Sequence, residues 1–368
     1  VLYGTPVLEL KRWMMDLEST HGRLMDLSPA GGCGCKMRQG LLNELLAGME
    51  RDLGIGGPDF AAEDAGLLTV GQQEVLLTID IQTPISPTVE RWGAVAAVNA
   101  LSDIYAMGGR PLGAVAFLGW PAGRSITEGR SLLNAGAKAL RADGVALLGG
   151  HTITSEVPTF GYCVLGSPGR GGLMTVASGR VGDQLVLTKP LGSGVASSAE
   201  KAGIGSSVMY AAAHDVMVTS NGRAAEVAAS HAVRCATDVT GFGLVGHAHN
   251  IAKASGLRAR LSAGALPVIP GVVDTLASGF VPDGLLRNRA DAENYTSWSS
   301  VDEVRRNVVC DPQTSGGLLL AVSGDSVVDL CYDLSASGVP AAIVGEFVEG
   351  TPGVVEVLPQ IAASSPRF

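Results

Sequence analysis

Aromatic and charged residues are both scarce in this chain. Across 368 residues, Phe, Trp and Tyr make up 5% and Asp, Glu, Lys and Arg 17%. Low charge combined with 46% hydrophobic residues excludes a disordered chain, which could not bury enough apolar surface to fold. The length suffices for two domains, each with its own core. No basic run is present and the net charge is −9, so a nucleic-acid footprint is not expected. No Gly-Lys dipeptide occurs, which removes the glycine-lysine phosphate loop from consideration. The most apolar helix candidate, 92–107, is interrupted by Asn99 and Asp103 and is too short to span a bilayer. Lys11, Arg12, Asp16 and Glu18 fit no signal peptide, so a cytoplasmic, membrane-free protein is expected.

Cysteine pairs at metal-binding spacing are also missing. The six cysteines are Cys33, Cys35, Cys163, Cys235, Cys310 and Cys331, and none forms the two-to-four-residue spacing of a structural zinc site. Scattered thiols in a chain this long suit a reducing compartment, where a free Cys behaves as a small hydrophobe. GFGLVG at 241–246 fits a dinucleotide-binding pattern. That pattern needs an acidic residue about 20 positions on, and none lies between His247 and Pro270.

Mixed strands and helices fill what remains. Residues 38–51 have helical spacing, 74–81 reads as a strand and 90–109 as a helix stopped by two glycines. Strands follow at 113–119, 145–151 and 159–167, with a helix over 125–142. A glycine-rich stretch at 168–182 marks a boundary. The second half is mixed in the same way, with strands at 184–190, 257–262, 317–323 and 341–348, and helices over 206–230, 241–255 and 325–337. The expected organisation is an extension over 1–30, a unit over 31–175 and a second α+β unit over 180–360.

Residues 31–36, Gly-Gly-Cys-Gly-Cys-Lys, carry the most chemistry. Glycine lets the backbone come close to a ligand, and the adjacent ammonium favours the reactive thiolate. Four aspartates stand in apolar or glycine-rich segments: Asp64, Asp80, Asp103 and Asp238. Asp103 lies four residues after Asn99, on the same face of an otherwise apolar helix. Singly, each Asp reads equally as a cap, a turn residue or a salt-bridged group. As a set they have few nearby cations. Two carboxylates ~4 Å apart repel by about 4 kcal/mol at a surface-like dielectric. A divalent cation removes that repulsion, and Mg²⁺ favours carboxylate and phosphate oxygens. The turn expected at Gly149–Thr152 offers backbone donors, or is a plain connection.

With GGCGCK in place, NALSDIYAMGGRP (99–111), LGW (118–120), ALLGGHT (146–152), LTKPLGSGV (187–195), ATDVTGFGLVGH (236–247) and CDPQTSGGLLLAV (310–322) complete a pattern. Over roughly residues 30–350 the chain resembles the selenophosphate synthetase (selenide, water dikinase) family, within the aminoimidazole-ribotide synthetase-like ATP-binding proteins. The resemblance implies a mixed α+β, two-domain fold, with the N-terminal domain contributing to a β-barrel at a homodimer interface. It implies that ATP's γ-phosphoryl group goes to selenide while the remaining ADP is hydrolysed, giving selenophosphate, AMP and phosphate. It makes Cys33 the catalytic cysteine and Lys36 the catalytic, ATP-contacting lysine. Asp64, Asp80, Asp103 and Asp238 fall on Mg²⁺ and ATP-phosphate aspartates, and Gly150, His151 and Thr152 on a nucleotide-binding turn. Glu63 stands where many members have a second Asp. Mg²⁺, a monovalent cation such as K⁺, and a selenium-delivery protein are the implied cofactors and partner. Two rival readings are another ATP-dependent kinase or synthetase of the superfamily and a non-catalytic nucleotide-binding paralogue. The latter would be expected to have lost Cys33 or Lys36.

Overall fold

The structure is a computed structural model that describes residues 22–28, 31–32, 35–37, 41–42, 44–45 and 63–361. Cys33, most of the expected helix over 38–51 and most of the expected extension over 1–30 lie outside the described residues.

The first half is built on strands β1 (Gly66–Val70), β2 (Gln73–Gln82), β3 (Gly109–Trp120), β4 (Ala146–Thr154) and β5 (Thr159–Pro168). They form one sheet in the order β1-β2-β5-β3-β4, in which only β3 and β4 run parallel. Alternation in β2 sends Leu76, Thr78, Asp80 and Gln82 to the covered face and leaves Leu77 and Ile79 exposed. Helices α1 (Val89–Ala106) and α2 (Ile126–Ala142) cover that inner face. They approach so closely that a side chain on Gly93 would meet the Leu132 carbonyl at 2.3 Å.

The second half forms a seven-stranded sheet, β7-β10-β6-β11-β8-β12-β9. Its strands are β6 (Gln184–Leu187), β7 (Cys235–Asp238), β8 (Arg258–Ser262), β9 (Thr296–Trp298), β10 (Leu318–Val322), β11 (Ala342–Val348) and β12 (Val355–Leu358). Helices α3 (Ser193–Ala202), α4 (Ser207–Val218), α5 (Gly222–Ser230), α6 (Gly243–Ala254), α7 (Val272–Ala277), α8 (Asp283–Ala292), α9 (Glu303–Cys310) and α10 (Val327–Ala336) pack around it. The architecture is mixed α+β, as expected.

Helix α1 joins the two halves, because it touches β2 and β5 on one side and α4, α5 and β7 on the other. Contact on both sides explains why this helix is apolar nearly all round. Beyond its first turn the polar exceptions Asn99, Ser102 and Asp103 fall at i, i+3 and i+4 and therefore share one face.

Two expectations change. Residues 149–152 are not a turn after a strand but the middle of β4, paired in register with β3. The mostly helical stretch expected over 206–230 is two helices, α4 and α5, separated by Thr219–Asn221. Asn221 is buried there and spends its side chain on Ser102 and Gly316, which fixes the break. The glycines of GFGLVG open α6: Gly243 has φ +69° and lies against the Cys310 backbone, where a Cβ would sit 2.9 Å away. No helix among the described residues is long and apolar enough to cross a membrane.

Candidate active site

Three of the four singled-out aspartates meet. Asp64 precedes β1, Asp103 projects from the polar face of α1, and Asp238 ends β7. Each supplies a carboxylate oxygen, and these oxygens all lie within 4.8 Å of one another. Asp64 and Asp103 keep part of their surface open, whereas Asp238 is 1% exposed. Asp80 lies beside them on β2, its carboxylate 3.2 Å from the Lys36 ammonium.

Neighbouring hydroxyls and amides fix these carboxylates. Thr78 Oγ1 donates to Asp103 at 2.5 Å, Thr237 Oγ1 to Asp64 at 2.9 Å, and Asn99 Nδ2 to Asp80 at 2.6 Å. Thr78 precedes Asp80 by two residues on the same strand face, and Thr237 adjoins Asp238. Sequence reasoning passed over both threonines, although period-two alternation around Asp80 is a signal for the first. His247 completes this wall from α6. Its Nε2 accepts from the Thr240 amide at 3.0 Å, and burial, with the Lys36 cation adding, holds its pKa down to about 3. The ring is therefore a neutral acceptor.

Charge in the cluster is strained. Burial, with the Asp238 carboxylate adding, pushes the Asp64 pKa well above its usual range. Burial and the nearby Asp80 and Asp238 carboxylates do the same to Asp103. Asp238 is raised to about 6, chiefly by burial, against opposing help from the Ser102 hydroxyl and Lys36. Asp238 Oδ2 is buried and accepts no hydrogen bond. A divalent cation suits this set: the donors are all oxygens, they converge, and one is orphaned. In water-poor surroundings such carboxylates cannot all stay ionised without a counter-charge.

The glycine-rich segment is docked at the same place. Gly32 donates to the Thr83 carbonyl at 3.2 Å just past β2, with φ +56° and a Cβ position 2.3 Å from Thr314 Oγ1. Only glycine fits there. Cys35 is exposed, and Lys36 follows it onto Asp80.

Glu63 takes a different role from the triad, since its Oε2 accepts the Val176 amide at 3.2 Å. Gly150, His151 and Thr152 do not join the aspartates within one chain. Across the sheet, Asp80 pairs with Tyr162, Tyr162 with Ala116, and Ala116 with Gly150. Three strand spacings separate them, about 14 Å. The His151 ring lies 6.4 Å from Phe117, on the exposed sheet edge.

Both halves match one class of protein. The AIR synthase related protein N-terminal domain matches residues 62–167, and the AIR synthase related protein C-terminal domain matches residues 180–358. The fold agrees with tt0281 from Thermus thermophilus (TM-score 0.66, 19% identity, 86% of this chain and 95% of that one). It agrees also with thiamine monophosphate kinase from Aquifex aeolicus (TM-score 0.64, 16% identity, 89% of this chain and 99% of that one). Within that class the sequence is specific. It is 37% identical over 332 residues to a selenide, water dikinase of Cronobacter sakazakii, spanning 88% of this chain and 94% of the relative. A selenide, water dikinase of Aeromonas hydrophila is 36% identical over 333 residues, spanning 88% of this chain and 95% of the relative. The chain belongs to the selenide, water dikinase family.

Proposed function

We propose that the chain makes selenophosphate from ATP, selenide and water, releasing AMP and phosphate, for selenocysteine and selenouridine biosynthesis. One observation carries the reading: Asp64, Asp103 and Asp238 converge beside the Asp80–Lys36 pair.

Asp64, Asp103 and Asp238 would hold Mg²⁺, which when bound neutralises phosphate charge between enzyme and nucleotide. Asp80 keeps the Lys36 ammonium at the margin of the cluster, where that side chain is still 36% exposed and able to meet a phosphoryl group. Asn99 in turn aims Asp80. Cys33 is assigned to receive or position selenide, with Lys36 favouring its thiolate. Phosphoryl transfer asks mostly for positioning and charge neutralisation, and these residues offer both. We assign residues 31–175 and 180–360 to the two functional units.

A second copy of the chain is the proposed partner. On the sheet face away from α1, Leu77 lies opposite Leu165 and Ile79 opposite Cys163, which also pairs with Val115. Leu77, Ile79, Val115 and Leu165 are 48%, 64%, 42% and 39% exposed, an apolar face that burial against its twin would remove from water. The resemblance implies that ATP lies across such an interface. There Gly150, His151 and Thr152 would approach nucleotide in a way that one chain alone does not permit.

Product analysis tests the function. With ATP, Mg²⁺ and selenide, the protein is expected to form selenophosphate, AMP and phosphate together, and to form little AMP without selenide. ADP as the final product, or selenide-independent turnover, would point to another kinase of the class.

A further inference from the structure

Behind the acidic cluster lies a buried cation that the function above does not use. Lys189 follows β6, is 4% exposed, and its Nζ donates to the Ser315 carbonyl at 2.8 Å. Burial lowers its pKa to about 7, and either protonation state keeps an N–H for that carbonyl.

The turn it holds is tightly constrained. Ser315 has φ +51°, an unfavourable backbone conformation for a residue with a side chain. Gly316 lies against β7's exit, where a Cβ would meet the Val239 carbonyl at 1.9 Å. Gly317 lies against Lys189 itself, where a Cβ would meet the lysine amide nitrogen at 2.4 Å. No larger residue fits either position.

Two peptide groups of this turn reach the two sides of the cluster. The Ser315 amide donates to Asn99 Oδ1 at 2.7 Å. That commits the oxygen and turns the Asn99 NH₂ toward Asp80. The Gly316 carbonyl accepts from Asn221 Nδ2 at 2.9 Å, and the same NH₂ donates to Ser102 Oγ at 2.8 Å. The Ser102 hydroxyl in turn lies near the Asp238 carboxylate and favours its charged form. Asn99, Ser102, Asn221, Lys189 and Ser315 are all buried, so water cannot replace a lost link.

We propose that Lys189 is a positioning residue: by gripping the Ser315 carbonyl it holds the turn that aims Asn99 at Asp80 and, through Asn221 and Ser102, steadies Asp238. The inference rests on the nucleotide and Mg²⁺ reading of these aspartates. It links a residue of the second half to carboxylate geometry on both sides of the site.

Calorimetric binding of a non-hydrolysable ATP analogue, titrated at several Mg²⁺ concentrations, tests it without turnover. Lys189→Met keeps the buried volume and removes the donor. The Mg²⁺ needed for half-maximal nucleotide binding should rise about tenfold, the scale of one buried hydrogen bond. Where that variant does not fold, Lys189→Gln, which keeps a donor on a shorter stem, should show a smaller rise than Asn99→Leu. Combining Lys189→Met with Asn99→Leu should give a loss well short of the product of the single losses, since both break one chain of contacts. Unchanged Mg²⁺ dependence in the folded Lys189 variant, or losses that multiply, would overturn the proposal. A lowered melting temperature with no change in Mg²⁺ dependence would do so too, by showing a purely structural lysine. If wild-type protein binds Mg–ATP analogue yet forms no selenophosphate, the functional reading fails while this comparison still decides the role of Lys189.

Discussion

At the scale of single residues, the site depends on side chains whose burial sets their charge. Cys33→Ser should leave ATP binding intact and abolish selenophosphate formation, read by calorimetry and product analysis. Full selenide-dependent AMP production in that variant would refute the thiol's role. Asp311 gives a separate test away from the acidic cluster. Burial raises its pKa from 3.8 to about 7, although Gln313 and Gly194 donate to its carboxylate. Between about pH 4 and 7 the folded state therefore holds a proton that the unfolded chain has released, and stability falls as pH rises through that window. Asp311→Asn is neutral throughout, so its melting temperature should decline less from pH 5 to 7.5. In unfolding free energy the difference between the two slopes should be on the order of 2–3 kcal/mol. Equal slopes would contradict the shift. Most of the acidic cluster was legible residue by residue, because an Asp in an apolar segment is conspicuous. Thr78, Thr237, Ser102 and Asn221 were not, since a hydroxyl or amide in a strand or helix break carries no mark of the carboxylate it will meet.

At the scale of elements, α1 carries the site. It brings Asn99, Ser102 and Asp103 to one face and is wedged between the two sheets. Its position depends on contact with α2, where a Cβ on Gly93 would fall 2.3 Å from the Leu132 carbonyl. Gly93→Val should therefore push the helices apart, at a cost of about 1–3 kcal/mol. It should also weaken Mg²⁺-dependent nucleotide binding by displacing Asp103. A variant with wild-type melting temperature and affinity would show that the close approach is not needed. The sequence pattern located α1, β2, β5, α6, β10 and β11 within a few residues, because buried helices and alternating strands declare their periods. β7 was missed: four residues are too short for a period, and Asp238 breaks the apolar run. β4 was read as ending at His151 instead of Thr154, and the turn expected over 149–152 does not form, because those residues pair with β3. Register between strands, which sets Gly150 about 14 Å from Asp80, exists only in the assembled sheet.

At the scale of the whole molecule, the two-domain α+β plan was legible from length and the mixture of strands and helices. How the units close on each other was not, because it rests on the Ser315–Gly316 turn touching α1 across a long sequence separation. The exposed apolar sheet face gives a further test. Under the proposed pairing of two copies, Ile79→Lys should shift the protein from dimer to monomer in light scattering and lower selenophosphate formation, because a charge would be buried at the contact. A dimer of wild-type strength would place the interface elsewhere.

The claim beneath all of this is that Asp64, Asp103 and Asp238 bind nucleotide through a shared divalent cation. Calorimetric titration of ATP into wild-type protein and Asp103→Asn, with and without Mg²⁺, tests it most directly. Wild-type affinity should depend strongly on Mg²⁺, and the variant should lose about tenfold or more of the Mg²⁺-dependent part, consistent with removing one charged ligand. Equal affinities in all four titrations would contradict the account.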